Sequence, residues 1–172
     1  MKGKDILINT VINGFQTNKG KASCYCFNND VIPLLVRTII QKFTAKNDSS
    51  SIFIVTDNYE TRRKIINEIN NSKVNLNGCC LRVLSRDYIK IQYNYRYTLT
   101  ITIGLNDCFS VIEKLKQDSH FMLSIFTKNI MDSNFINNVR KILPDIPVGN
   151  VDSIIIQDKI YSPVEEHRYG VD

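Results

Sequence analysis

The sequence predicts a single α/β domain with three layers, a mostly parallel β-sheet carrying helices on both faces. Three observations carry this. Short apolar, β-branched runs alternate with longer amphipathic ones, the order that a parallel sheet with crossover helices requires. The clearest run, residues 52–56 (IFIVT), is continuous rather than alternating, as a strand covered on both faces should be. A chain of 172 residues with 43% hydrophobic content is also long enough to bury one core without disulfides or metals.

Each element follows from local pattern. Residues 5–15 place Ile6, Val11, Ile12 and Phe15 at helical spacing, predicting a short helix that ends near Gly14. Residues 21–27 (KASCYCF), bounded by Gly20 and Asn28, read as a buried strand. Asn28, Asn29 and Asp30 form a turn suited to cap a helix over 32–43. There Leu35, Ile39, Ile40 and Phe43 share a face and Pro33 fits the first turn. After strand 52–56, Asp57 and Asn58 offer caps for a helix over 59–69 that buries Ile65, Ile66 and Ile69. A turn at Asn77-Gly78 precedes a third strand over 79–84.

Residues 89–95 and 97–103 read as two further strands, or one long kinked strand, closed by Gly104. Asp107 is placed to cap a helix reaching Gln117, and 121–126 is a buried strand. Asp132 or Ser133 caps a helix through Ile142, which Leu143-Pro144 stops. Residues 151–156 give a last apolar strand. The domain is therefore expected over 1–156. The remainder, 157–172, has no core face and reads as an extended tail, as expected if a second domain follows or if the tail docks on a partner.

The familiar catalytic motifs are missing. The loop after the first buried strand has no glycine to bring backbone near phosphates, no lysine for them and no hydroxyl for magnesium, and Asp30 would repel them. Neither GxGxxG, GxSxG nor HExxH occurs. His120 and His167 are far apart and read as surface residues; Glu165 and Glu166 are adjacent and point to different sides of an extended chain. Asp57 follows a strand end, where a catalytic group would sit, but it is also a ready helix cap, and the cap is the expected role. Of the five cysteines, Cys24 and Cys26 are two apart and Cys79 and Cys80 adjacent, so neither pair has zinc spacing; all five, with Cys108, read as reduced and partly buried. No catalytic residue, metal or cofactor is expected.

The net charge of +5 permits contact with nucleic acid without requiring it. Basic residues gather at Arg62, Arg63 and Lys64, then at Arg82, Arg86, Lys90 and Arg96 among Tyr88, Tyr93, Tyr95 and Tyr97. This mixture suits stacking on bases and meeting phosphates. It equally suits cross-strand stabilisation of a sheet. Arg140 and Lys141 end a helix, where they complement its dipole. The apolar run at 6–8 is too short for a signal-peptide core and no stretch nears transmembrane length, so no membrane partner is expected.

The stretch IFIVTDNYETR, residues 52–62, is similar to the strand and helix start of a motif with which superfamily 2 helicases touch the nucleic-acid backbone. TITIG, residues 100–104, is similar to a later strand end of the same domain. FMLSIFTKN, residues 121–129, lies where that family has an apolar strand ending in Asp-Glu; here Thr127 and Lys128 stand in place of the acids. From Lys21 to Ile156 the chain thus resembles the first RecA-like domain of superfamily 2 helicases, Swi/Snf-type translocases included, with both halves of the nucleotide site degenerate. The resemblance implies a RecA-like, P-loop-like fold and a surface facing nucleic acid, not an ATPase.

The expected function is a non-catalytic, helicase-like module that binds nucleic acid or a nucleoprotein partner. The residues expected to do so are Arg62, Arg63, Arg86, Lys90, Tyr95, Arg96 and Tyr97. The alternative is a structural or assembly protein that docks a protein partner through Tyr161, Glu165, Glu166 and Arg168 of the tail. Frequent Asn, Ile and Lys with no Trp suggest an AT-rich source such as a phage, and hence the host cytoplasm or virion as location.

Overall fold

The computed structural model describes residues 3–27, 29–86, 96–127 and 132–148. In chain order these form α1 (Gly3–Thr17), β1 (Lys21–Phe27), α2 (Ile32–Lys46), β2 (Ser51–Thr56), α3 (Tyr59–Asn71), β3 (Cys80–Ser85), β4 (Tyr97–Ile103), α4 (Phe109–Gln117), β5 (Ser119–Thr127) and α5 (Ser133–Ile142). The strands make one sheet in the order β1-β5-β4-β2-β3, and every neighbouring pair is parallel. This is a three-layer α/β arrangement consistent with a RecA-like, P-loop-like fold.

The order of the strands sorts the helices. From β1 the chain passes over β5 and β4 to reach β2, then steps outward to β3; from β4 it steps back to β5. Because crossovers are right-handed, moves in opposite directions lay their helices on opposite faces. Hence α2 and α3 cover one face, and α1 packs beside them, so that Leu7, Leu35, Ile40 and Ile65 meet Ile52, Ile54, Leu99 and Ile101. Helices α4 and α5 cover the other, where Ile112, Leu115, Phe135 and Val139 meet Tyr25, Phe53, Val55 and Phe126. Strand β2 feeds both clusters through alternate side chains, which is why its sequence is apolar throughout. On the second face β4 presents Thr100 and Thr102. Both are buried, and both are satisfied by β5: Thr100 shares a 2.6 Å hydrogen bond with Ser119, and Thr102 donates to Ser124 at 2.8 Å.

Helices α1, α2 and α3 run two or three residues past the ends that their apolar spacing predicts, whereas α4 and α5 end at Gln117 and Ile142 as expected. Two caps are as expected. The Asp132 carboxylate accepts from the N–H groups of Asn134 and Phe135, and the Asn58 side chain accepts from that of Thr61. Three expectations are corrected. Neither Asn29 nor Asp30 caps α2, which starts from Val31 with no side-chain cap. Asp107 does not cap α4; Cys108 holds that position, and the Asp107 carboxylate turns to Arg86 instead. Cys80 is exposed, because β3 is the edge strand, whereas Cys24 and Cys79 are buried and Cys108 half-buried. The expected strands at 89–95 and 151–156, and the tail, lie outside the described residues. No described helix is long and apolar enough to cross a membrane.

Candidate functional site

In an open parallel sheet, ligands sit beyond the carboxyl ends of strands whose following helices depart to opposite faces. Two neighbouring pairs meet this condition: β1 with β5, and β2 with β4. Their ends enclose a cleft of about 230 Å³. Asn29, Ile32 and Pro33 line it from the β1–α2 junction, Asp57, Asn58, Glu60, Thr61 and Lys64 from the β2–α3 junction, and Ile103 and Thr127 from the ends of β4 and β5, so two carboxylates face one lysine.

Asp57 is the central group. Its backbone N–H donates to the Ile103 carbonyl at 2.9 Å, tying the end of β2 to the end of β4. Its carboxylate lies over Gly104, which has φ +73°; a Cβ there would stand 2.7 Å from both Cγ and Oδ2 of Asp57. Glycine is thus required twice, by the left-handed backbone and by the close approach. The Asp57 Oδ1 atom is buried with no hydrogen-bond partner among the described residues. Burial pushes this carboxyl above the usual aspartate range, while the N–H groups of Asp57 and Asn58, the Thr61 side chain and the Arg86 charge pull it back. Asp57 is therefore not the helix cap, a role that Asn58 takes.

Two more groups share this edge. Asn106, just past β4, donates through Nδ2 to Thr127 Oγ1 at 3.1 Å, and its Oδ1 is buried without a partner among the described residues. Ser85, at the end of β3, buries its Oγ in the same condition. Among the described residues, the unsatisfied buried side-chain atoms thus all lie at the carboxyl ends of strands, where two of them can only accept hydrogen bonds. Sequence reading missed Asn106 and Ser85. The available signal was positional, since each ends or follows a strand as Asp57 does.

The start of α2 offers little to a phosphate. The Ile32 N–H donates to the Asn29 carbonyl, Pro33 has no N–H, and the Leu35 N–H donates to Val31. The free donors that make a helix N-terminus an anion site are largely spent. Lys64, the cation lining the cleft, pairs with Glu60 at 3.6 Å.

The expected nucleic-acid residues divide between the two ends of the sheet. Arg62, Arg63 and Arg86 lie at the carboxyl end. Arg62 donates through Nε to the Val83 carbonyl at 2.7 Å, and its guanidinium lies 5.7 Å from the Tyr59 ring centre. Tyr59 is 62% exposed. Arg63 is exposed on α3, and Arg86 pairs with Asp107 at 2.9 Å. Hydrogen bonds from Cys108 and Arg86 hold the Asp107 carboxyl below the usual range. Arg96 and Tyr97 lie at the amino end of β4, a seven-residue strand and hence roughly 20 Å away. There Arg96 pairs with the buried Asp118 at 3.2 Å and Tyr97 stacks on Phe53 at 4.6 Å. Lys90, Tyr95, Tyr161, Glu165, Glu166 and Arg168 lie outside the described residues. His120 is exposed on the ring edge of Phe121, as a surface histidine. Arg140 does more than face a helix end, since its guanidinium covers Tyr25 at 4.8 Å and pairs with Asp145.

Compared with models of known protein families the chain matches none, and no curated protein matches it.

Proposed function

We propose that the chain is a non-catalytic, helicase-like α/β module that binds single-stranded nucleic acid along the carboxyl edge of its sheet. The observation that supports this reading is the shared position of Tyr59, Arg62 and Arg63 in the first turns of α3 and of Arg86 after β3, all at the carboxyl end of the sheet. Tyr59 supplies an exposed ring for a base to stack on, with Arg62 fixed beneath it by the Val83 carbonyl. Arg63 and Arg86 supply charge for phosphates. The Arg86–Asp107 pair is solvent-exposed and costs little to exchange for a phosphate contact. In this reading Arg96 and Tyr97 hold β4 to its neighbours and touch no nucleic acid.

The test is a fluorescence-anisotropy titration of a labelled single strand with the full chain. Phosphate contacts are strongest at low salt, so saturable binding is expected there. Absence of binding at low salt would overturn the proposal. Tyr59→Ala should weaken binding by roughly 1–3 kcal/mol if one base stacks there.

A further inference from the structure

The opposite end of the sheet holds a second concavity, and we infer that it binds a soluble amphipathic organic anion, an apolar chain or ring body with one acidic end. The inference goes beyond the nucleic-acid proposal and stands apart from it. The C-terminal ends of α1 and α2 and the amino ends of β1 and β5 enclose a groove of about 530 Å³. That is within the roughly 300–1,000 Å³ of small-molecule sites, which are mostly apolar with a few polar groups. Its wall is aromatic and aliphatic, formed by Phe15, Ile39, Phe43 and Phe121. Phe43 and Phe121 meet edge to face at 6.3 Å, and Phe15, Phe43 and Phe121 all stay half-exposed against the core rather than closing over one another. Gly20, at φ +79°, has no side chain to strike the Phe121 ring, which lets that ring lie across the chain.

Charge decides which amphipathic molecule fits. Lys19, Lys42 and Lys46 line the groove, no carboxylate does, and none of the three forms an ion pair among the described residues. Part of this charge answers the two helix C-termini, each worth about −0.5 of an elementary charge. Three lysines against two such ends leave a surplus of about +2. An uncharged ligand would ignore that surplus and a cation would be repelled, so the groove selects an acidic end group for the rim with the apolar body below.

The test is calorimetric titration of the full chain with decanoate, decanol and decylamine, each below its aggregation concentration. Decanoate should bind with one-to-one stoichiometry, about fivefold more tightly than decanol, the factor that one charge contact of about 1 kcal/mol in water provides. Decylamine should bind most weakly. Raising salt should erase the preference, and the charge reversal K42E/K46E should invert it. Ala45 and Gln16 are exposed residues that line the groove, so Ala45→Trp and Gln16→Trp should block binding while leaving the urea midpoint near wild type. Equal affinity for the three ligands, no saturable decanoate binding at low salt, or binding unchanged in both tryptophan variants would overturn the inference. So would association with anionic vesicles in the absence of binding to free decanoate.

Discussion

Gly104→Ala is the sharpest probe of how the carboxyl edge is assembled. The substitution meets two obstacles. At φ +73° an L residue costs about 1–2 kcal/mol. The new Cβ would also stand 2.7 Å from Cγ and Oδ2 of Asp57 and 3.0 Å from its Cβ, well inside carbon–carbon contact distance. Asp57 is tied by its backbone to Ile103, so it cannot simply swing away. The overpacking adds about 1–3 kcal/mol. A total near 3 kcal/mol lowers Tm by about 9 °C for a chain of this size. Urea unfolding of Gly104→Ala, Asp57→Ala and the double variant separates the two causes. Asp57→Ala removes the two 2.7 Å contacts and leaves the 3.0 Å contact with Cβ, so in that background Gly104→Ala should cost the backbone part and only a remnant of the overpacking. The coupling energy should be about 1–2 kcal/mol. Additive single effects, or a Gly104→Ala variant as stable as wild type, would refute the packing of Asp57 on Gly104.

Three further outcomes are expected. Asp57→Asn should stabilise the fold near neutral pH. Burial raises the folded-state pKa of Asp57, so its contribution is full below the unfolded value near 3.9 and is lost as pH rises through the folded value. The neutral amide escapes that loss. Its advantage in urea midpoint should therefore vanish toward acid and grow toward pH 7. Thr102→Val should cost about 1–3 kcal/mol in urea unfolding by leaving Ser124 without its donor, and adding Ser124→Ala should recover part of the loss. Thiol labelling followed by mass spectrometry should modify exposed Cys80 in the native protein and leave Cys24 untouched until unfolding. Burial, aided by the Asp145 charge, pushes the Cys24 thiol far up and holds it protonated.

The fold was largely legible because burial on both faces writes itself into local sequence. Strand β2 and the stripes of α2 and α3 are visible residue by residue, and Asn58 and Asp132 cap helices by chemistry confined to three positions. What escaped depends on distant partners. Asp107 has the right residue type and place for a cap, but Arg86, 21 residues earlier, draws its carboxylate away. Asp57, Ser85 and Asn106 converge only because β2, β3 and β4 end at one edge. The same topology explains why one basic cluster in sequence becomes two in space. In a parallel sheet the end of one strand and the start of the next lie at opposite ends, so Arg86 and Arg96 are parted by a strand's length. Cys80 escaped because nothing local marks β3 as the edge strand.

The most direct test of the central claim compares charge reversal at the two ends of the sheet. Single-strand binding should be measured against salt for wild type, Arg63→Glu/Arg86→Glu and Arg96→Glu. Two phosphate contacts, at Arg63 and Arg86, predict a slope of log K against log salt near about −1.4 for wild type. The carboxyl-edge double variant should lose most binding at every salt concentration, and Arg96→Glu should keep the wild-type slope and affinity once its folding is verified. Loss of binding in Arg96→Glu with retention in the double variant, or a wild-type affinity indifferent to salt, would contradict the account.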